Sequence, residues 1–266
     1  MAIDLEGFSV STMTFDDRAR DVYRRGKGPG VIVMHEAPGI TPEVARFGRT
    51  LADAGFTVFM PTLFGTPGRE FSAVYTLESF ASVCVRREIH MFAAQHASPV
   101  TSWLRGLCRR AHEEIGGPGV GAIGMCMTGN FALALMLEPS MIAPVLSQPS
   151  LPGFAPTRSL KRALHLSERE LAVVKARCAD EDLSVLALRF THDAMCPGDR
   201  FQRLRDELGD RVETIEIDSG PGNPHGLPRR AHSVVTRDLV DADGHPTKVA
   251  LERVIAFFRG RLHAAA

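Results

Sequence analysis

Residues 120–137 read VGAIGMCMTGNFALALML, and the parsing of this stretch decides the architecture. Val120 to Gly124 is a short apolar run that suits a buried strand, and Phe131 to Leu137, headed by Asn130, is an apolar stretch that suits a buried helix. Between them, GMCMTG must reverse a strand into a helix over about three residues, so small residues are required where backbones approach. Gly124 and Gly129 bracket Cys126 as the glycines of a nucleophile elbow bracket its serine. A thiol at the tip of such a turn faces the positive end of the helix macrodipole and free backbone amides, which favour a thiolate and supply half of an oxyanion hole. A cysteine beside a strand also reads as a small buried hydrophobe. The surrounding sequence has to choose between these readings.

Upstream, residues 28–65 carry GPGVIVMHEAPGITPEVARFGRTLADAGFTVFMPTLFG. Val31 to Met34 is an unbroken apolar run, Thr41 and Pro42 form a helix start, and Val44, Phe47, Leu51 and Ala52 fall on one helical face. Gly55 ends that helix and Phe56 to Met60 is the next strand. A βαβ unit of this kind implies a parallel sheet with helices on its faces. Ahead of it, Phe8 to Phe15 alternates apolar and polar residues and Asp21 to Arg24 is short and mixed, which predicts an antiparallel edge pair.

Residues 66–118 break the rhythm. GTPG at 65–68 and GGPG at 116–119 enclose a segment that is helical by pattern around Leu77 to Phe92 and Val100 to Ile115, longer than one crossover helix needs. Its first half reads as a helical insertion lying over the sheet, placed to cover a pocket. Downstream, Met141 to Leu146 is a strand ending in the loop SQPSLPG, and Ser167 to Cys178 is a charged helix opened by a capping box of Ser167 with Glu170. Leu183 to Phe190 is a strand, Arg200 to Leu208 a helix, Val212 to Ile217 the last strand. Thr247 to Leu262 closes the chain as an amphipathic helix with Val249, Val254, Ile255 and Phe258 on its inner face. One α/β domain over residues 1–266 is expected, with a mostly parallel central sheet and helices on both faces.

Composition narrows the function. Thirty-one basic residues balance 31 acidic ones, which argues against nucleic acid and anionic membranes as partners. Five cysteines, at 84, 108, 126, 178 and 196, form no CxxC pair, so reduced thiols in a cytoplasmic protein are expected, with neither a disulfide framework nor a metal site. The N-terminal MAIDLEGFSVSTMTFDD lacks a basic head followed by an apolar core, and no run approaches a membrane span.

In open α/β sheets, functional groups gather at the carboxyl ends of strands. Reading just past each strand gives Glu36, Cys126, and Asp193 after RFTHD, with candidate histidines in the glycine- and proline-rich loop after the last strand. The order Cys, Asp, His is the triad order of the α/β-hydrolase fold. Two histidines compete. His225 stands in PHGLPRR, with Arg229 four residues on as a possible carboxylate binder. His232 stands in AHSVVT, nearer the closing helix, and the residues alone leave both open.

Taken together, VIVMHEAPGI, AGFTVFMPTLFG, GMCMTGNFALAL and RFTHDAMCPGDRF, spread over residues 28–262, resemble the dienelactone hydrolase family, a thiol branch of the α/β hydrolases. The resemblance implies a cysteine nucleophile at Cys126, a glutamate at Glu36 that helps form the thiolate, and a triad completed by Asp193 and a histidine, for which the family's spacing favours His232, with His225 kept as the alternative. Amides of Met127 and Ala37, each just after a strand-end group, would hold the oxyanion. Relatives acting on acidic lactones use arginines to hold the substrate carboxylate, which makes Arg86 and Arg229 candidates, although the sequence departs from the family pattern in the inserted segment. The expected protein is a cofactor-independent hydrolase of small carboxylic esters or lactones, monomeric or homodimeric. An acyl transferase or thioesterase would use the same residues. A non-catalytic ligand-binding or redox-sensing relative would use Cys126 alone and need neither Asp193 nor Glu36.

Overall fold

The computed structural model describes residues 5–81, 99–150 and 157–263. Its centre is an eight-stranded sheet of strand order β1-β2-β4-β3-β5-β6-β7-β8. The strands are β1 (Ser9–Phe15), β2 (Arg18–Arg25), β3 (Gly30–Met34), β4 (Thr57–Pro61), β5 (Val120–Met125), β6 (Met141–Ser147), β7 (Val185–Phe190) and β8 (Val212–Ile217). From β4 through β8 the pairings are parallel, whereas β1 and β2 form an antiparallel pair joined antiparallel to β4. That is the edge pair and parallel sheet expected of the α/β-hydrolase fold, with β2 starting earlier than the mixed Asp21–Arg24 run suggests.

Alternation along the central strands divides the core in two, because successive side chains point to opposite faces. Ile32 and Met34 of β3, with Val120 and Ala122 of β5, pack with Trp103, Leu104 and Leu107 of α3 (Pro99–Ile115). Val31, Val33, Ile123 and Met125 pack instead with Val44, Phe47 and Leu51 of α1 (Pro42–Asp53) and with Val254 and Phe258 of the closing helix. Each fully buried side chain of this size contributes about 1.5–3 kcal/mol by leaving water. Both faces are therefore covered, and the strands read as continuous apolar runs.

Between β4 and β5 lie α2 (Ala73–Ala81) and α3. The two have different jobs. Helix α3 carries the crossover against the sheet, whereas α2 sits over the loop after β3, where Ser79 Oγ donates to the Pro38 carbonyl at 2.9 Å. The expected helical reading over 82–92 lies outside the described residues, as do Cys84 and Arg86.

After the elbow come α4 (Gly129–Ala134), flanked by 3-10 turns at Cys126–Thr128 and Leu135–Leu137, then α5 (Arg158–Arg162), α6 (Glu168–Asp180), α7 (Gly198–Leu208) and α8 (Pro246–Leu262). The capping box of Ser167 and Glu170 opens α6 as expected. The inner face of α8 needs correction. Thr247, Ala250, Leu251, Val254, Phe257 and Phe258 form its buried stripe, Ile255 is half-buried, and Val249 is 49% exposed. At about 100° per residue, Val249 falls one step off that stripe.

Candidate active site

The elbow is built by sterics. At the end of β5 the chain turns through Cys126 at φ +57°, a left-handed conformation that a side chain rarely adopts. Such strain persists only where the surroundings enforce it. At Gly124 a Cβ would run into the Thr128 carbonyl, and at Gly129 it would stand 2.9 Å from Pro149 Cα, so both positions exclude larger residues. Thr128 Oγ1 accepts the Met125 amide at 2.9 Å and lies 2.9 Å from the Met34 carbonyl, pinning the turn to the end of β3.

Beyond β3, His35 and Glu36 are both buried. The Leu63 amide donates to His35 Nε2 at 3.0 Å, so the proton sits on Nδ1, which donates to the Glu36 carbonyl at 3.0 Å. Burial pushes His35 down to about 4, only partly opposed by that carbonyl. The ring is a neutral brace. Glu36 turns its carboxylate toward the loop after β8. It accepts from Ser233 Oγ at 2.6 Å, from Thr236 Oγ1 and from Gln148 Nε2 at 3.4 Å, and among the described residues none of its hydrogen bonds reaches the Cys126 thiol.

That loop brings in the histidine. His232 Nδ1 donates to Asp193 Oδ2 at 2.6 Å, and the other oxygen of Asp193 accepts the Met195 amide at 2.9 Å. Asp238 Oδ2 accepts the amides of His232 and Ser233 at 2.7 and 2.8 Å and so fixes the backbone beneath the ring. Burial lowers the His232 pKa, but Cys126 and the hydrogen bond to Asp193 outweigh it and hold the imidazole well above its ordinary value. Nε2 is buried and makes no well-formed hydrogen bond among the described residues, although Cys126 lies near enough to act on the ring by hydrogen bonding as well as by charge.

Cys126, His232, Glu36 and Ala37 line one cavity of about 140 Å³, walled by Phe71 from the segment before α2 and by Met195. Arg237 stands at its rim, its guanidinium 4.3 Å from the Phe71 ring centre. Of the residues named as oxyanion donors, Met127 follows Cys126 directly and Ala37 lines the same cavity as Cys126.

Other candidates fall elsewhere. His225 is exposed, its ring packed against His245 at 5.4 Å between centres, so the geometry joins His232 and not His225 to Asp193. Arg229 is exposed and outside the lining of the cavity. Asp199 lies within the first turn of α7, whose cap position Pro197 holds. Cys108, Cys178 and Cys196 are buried thiols whose pKa values burial raises, as inert residues behave. No group of three or more metal-ligating side chains is found among the described residues, and no helix among them is long and apolar enough to cross a membrane.

Sequence reasoning did not find the polar scaffold. Thr128, Gln148, Ser150, Ser233, Thr236 and Asp238 all bond to the elbow, to Glu36 or to the histidine loop. Gln148 and Ser150 had a usable signal, since they follow β6 just as Glu36 and Asp193 follow their strands.

A family model described as the dienelactone hydrolase family matches residues 20–262. No curated protein matches the chain. Among solved structures, the chain is similar to a proposed dienelactone hydrolase from Klebsiella pneumoniae subsp. pneumoniae, at 17% identity and TM-score 0.64, covering 94% of this chain and 97% of that one. It is also similar to a dienelactone hydrolase-like promiscuous phosphotriesterase from metagenomic libraries (17% identity, TM-score 0.62, 96% and 98% covered). A third is a cold-adapted esterase from an Arctic intertidal metagenomic library (12%, TM-score 0.59, 96% and 93%). At these identities the solved structures establish the α/β-hydrolase fold.

Proposed function

Because the chain belongs to the dienelactone hydrolase family, we propose that it hydrolyses small carboxylic esters or lactones through Cys126, with His232 as acid and base and Asp193 orienting the imidazole. One observation carries the reading: His232 is held by Asp193 at 2.6 Å in the same cavity as a cysteine at φ +57°. A redox sensor or simple binder needs a thiol and a pocket. It has no use for an imidazole whose tautomer a buried carboxylate sets.

The chemistry follows from the groups. Cys126 transfers its proton to His232 Nε2, and the resulting imidazolium is stabilised by Asp193 and by the thiolate itself, in keeping with the raised histidine pKa. The sulfur adds to the carbonyl carbon, and the amides of Met127 and Ala37 hold the oxyanion. Collapse breaks the C–O bond as His232 returns the proton to the leaving alkoxide, giving a thioester. Water then adds with His232 as base, and the carboxylate and free thiol are released. Glu36 assists thiolate formation in this scheme only by leaving Ser233 and Thr236, to which its carboxylate is bonded.

The test is turnover of a panel of 4-nitrophenyl esters and enol lactones by the wild type and by Cys126→Ala. Removal of the nucleophile is expected to lower kcat/KM by about 10⁴-fold or more. Esterase activity that survives the substitution contradicts the mechanism.

A further inference from the structure

The Cys126 sulfur has a hydrogen-bond donor that the triad does not account for. Ser150, three residues past the end of β6 and fully buried, directs its Oγ at Cys126 Sγ from 3.1 Å. Among the described residues the hydroxyl has no other acceptor, so its proton points at the sulfur. By contrast, Glu36 spends its hydrogen bonds on Ser233, Thr236 and Gln148.

The backbone around Ser150 is fixed from three sides. Its amide donates to the Cys126 carbonyl at 3.0 Å, and its own carbonyl accepts from Asn130 Nδ2 at 2.8 Å, on the helix that follows the elbow. The preceding carbonyl, of Pro149, accepts from the buried Arg200, which also donates to the Ala163 carbonyl at 2.9 Å. Distance between the Ser150 hydroxyl and the sulfur is thus set by the scaffold and not by the rotamer of an exposed chain. A hydrogen bond to a charged acceptor is roughly twice as strong as one to a neutral acceptor. The hydroxyl therefore favours the thiolate over the thiol, and it does so before substrate arrives.

We propose that Ser150 is a positioning residue that holds the Cys126 sulfur through the Oγ–H···Sγ hydrogen bond and stabilises the thiolate formed when His232 takes its proton, an inference that rests on Cys126 being the nucleophile. The bond is strongest while the sulfur carries charge and weakens once the sulfur is acylated, so it acts on formation of the nucleophile more than on release of the acid.

The experiment is the pH dependence of Cys126 alkylation by iodoacetamide, followed on the Cys126 peptide by mass spectrometry, in the wild type, Ser150→Ala and Ser150→Thr. No substrate enters this assay, so it is separable from the ester turnover that tests the nucleophile assignment. Ser150→Ala is expected to move the reactive midpoint up by about one pH unit, and so to slow alkylation about tenfold below the midpoint. Ser150→Thr, which keeps the hydroxyl, is expected to restore the wild-type midpoint. A loss of packing alone would change the melting temperature without moving the profile. Superimposable profiles for wild type and Ser150→Ala, with both proteins folded by circular dichroism, would overturn the proposal even if Cys126→Ala had lost all turnover.

Discussion

Two regions meet at the cavity, and they are held by different forces. The elbow, residues 124–129, is local. Its two glycines and its left-handed cysteine lie within one turn of chain, Gly124 approaching Thr128 inside the turn and Gly129 approaching Pro149 beyond it. The histidine loop, residues 218–245 between β8 and α8, contains no helix or strand. It is fixed by long-range polar bonds: His232 to Asp193, Ser233 and Thr236 to Glu36, and Val234 to Gln148. Steric constraints of the first kind are written in consecutive residues, whereas bonds of the second kind link positions that only the fold brings together.

The comparison breaks most readily at the loop. Asp193→Asn keeps the shape but replaces the acceptor that sets the His232 tautomer, and kcat/KM is expected to fall by about 10³- to 10⁴-fold with little change in melting temperature. Unchanged activity would mean that the loop holds the imidazole without the carboxylate.

At the elbow the same logic predicts a stability effect. Gly124→Ala drives a methyl into the Thr128 carbonyl, which is backbone and has little room to yield. A loss of about 3 kcal/mol is expected in denaturant unfolding, together with loss of activity. A variant of wild-type stability would show that the turn can relax.

A smaller effect sharpens the role of the brace between the two regions. His35 has a folded-state pKa of about 4 against an ordinary 6.5, so the unfolded chain takes up a proton first as pH falls. Its contribution is complete above about pH 6.5 and is lost as pH drops toward 4, about 3 kcal/mol over that window. His35→Gln removes the titration, and the difference in unfolding free energy between pH 7 and pH 4 is expected to shrink by that amount. An identical pH dependence in both proteins would contradict a neutral, buried His35.

The same division explains how much could be read from the sequence. GMCMTG, the βαβ pattern and the strand-end positions of Glu36 and Asp193 are local signals, and the fold follows from them. His225 and His232 lie in one irregular loop, so the spacing of the family the chain resembles favoured His232 without excluding the other; the 2.6 Å bond to Asp193 distinguishes them. Ser150 follows β6 as Glu36 and Asp193 follow their strands, but its partner is 24 positions away and no motif pairs the two. Val249 was misassigned because a helix that is apolar around much of its circumference leaves its buried stripe ambiguous by one step.

The account stands on Cys126 as a covalent nucleophile, and the direct measurement is intact mass after rapid acid quench of the protein with an activated ester, wild type against Cys126→Ala. It predicts a transient mass increase of one acyl group on the wild type, mapped to the peptide holding Cys126, and none on the variant. An acyl adduct on another residue, or hydrolysis by Cys126→Ala at the wild-type rate, would contradict it.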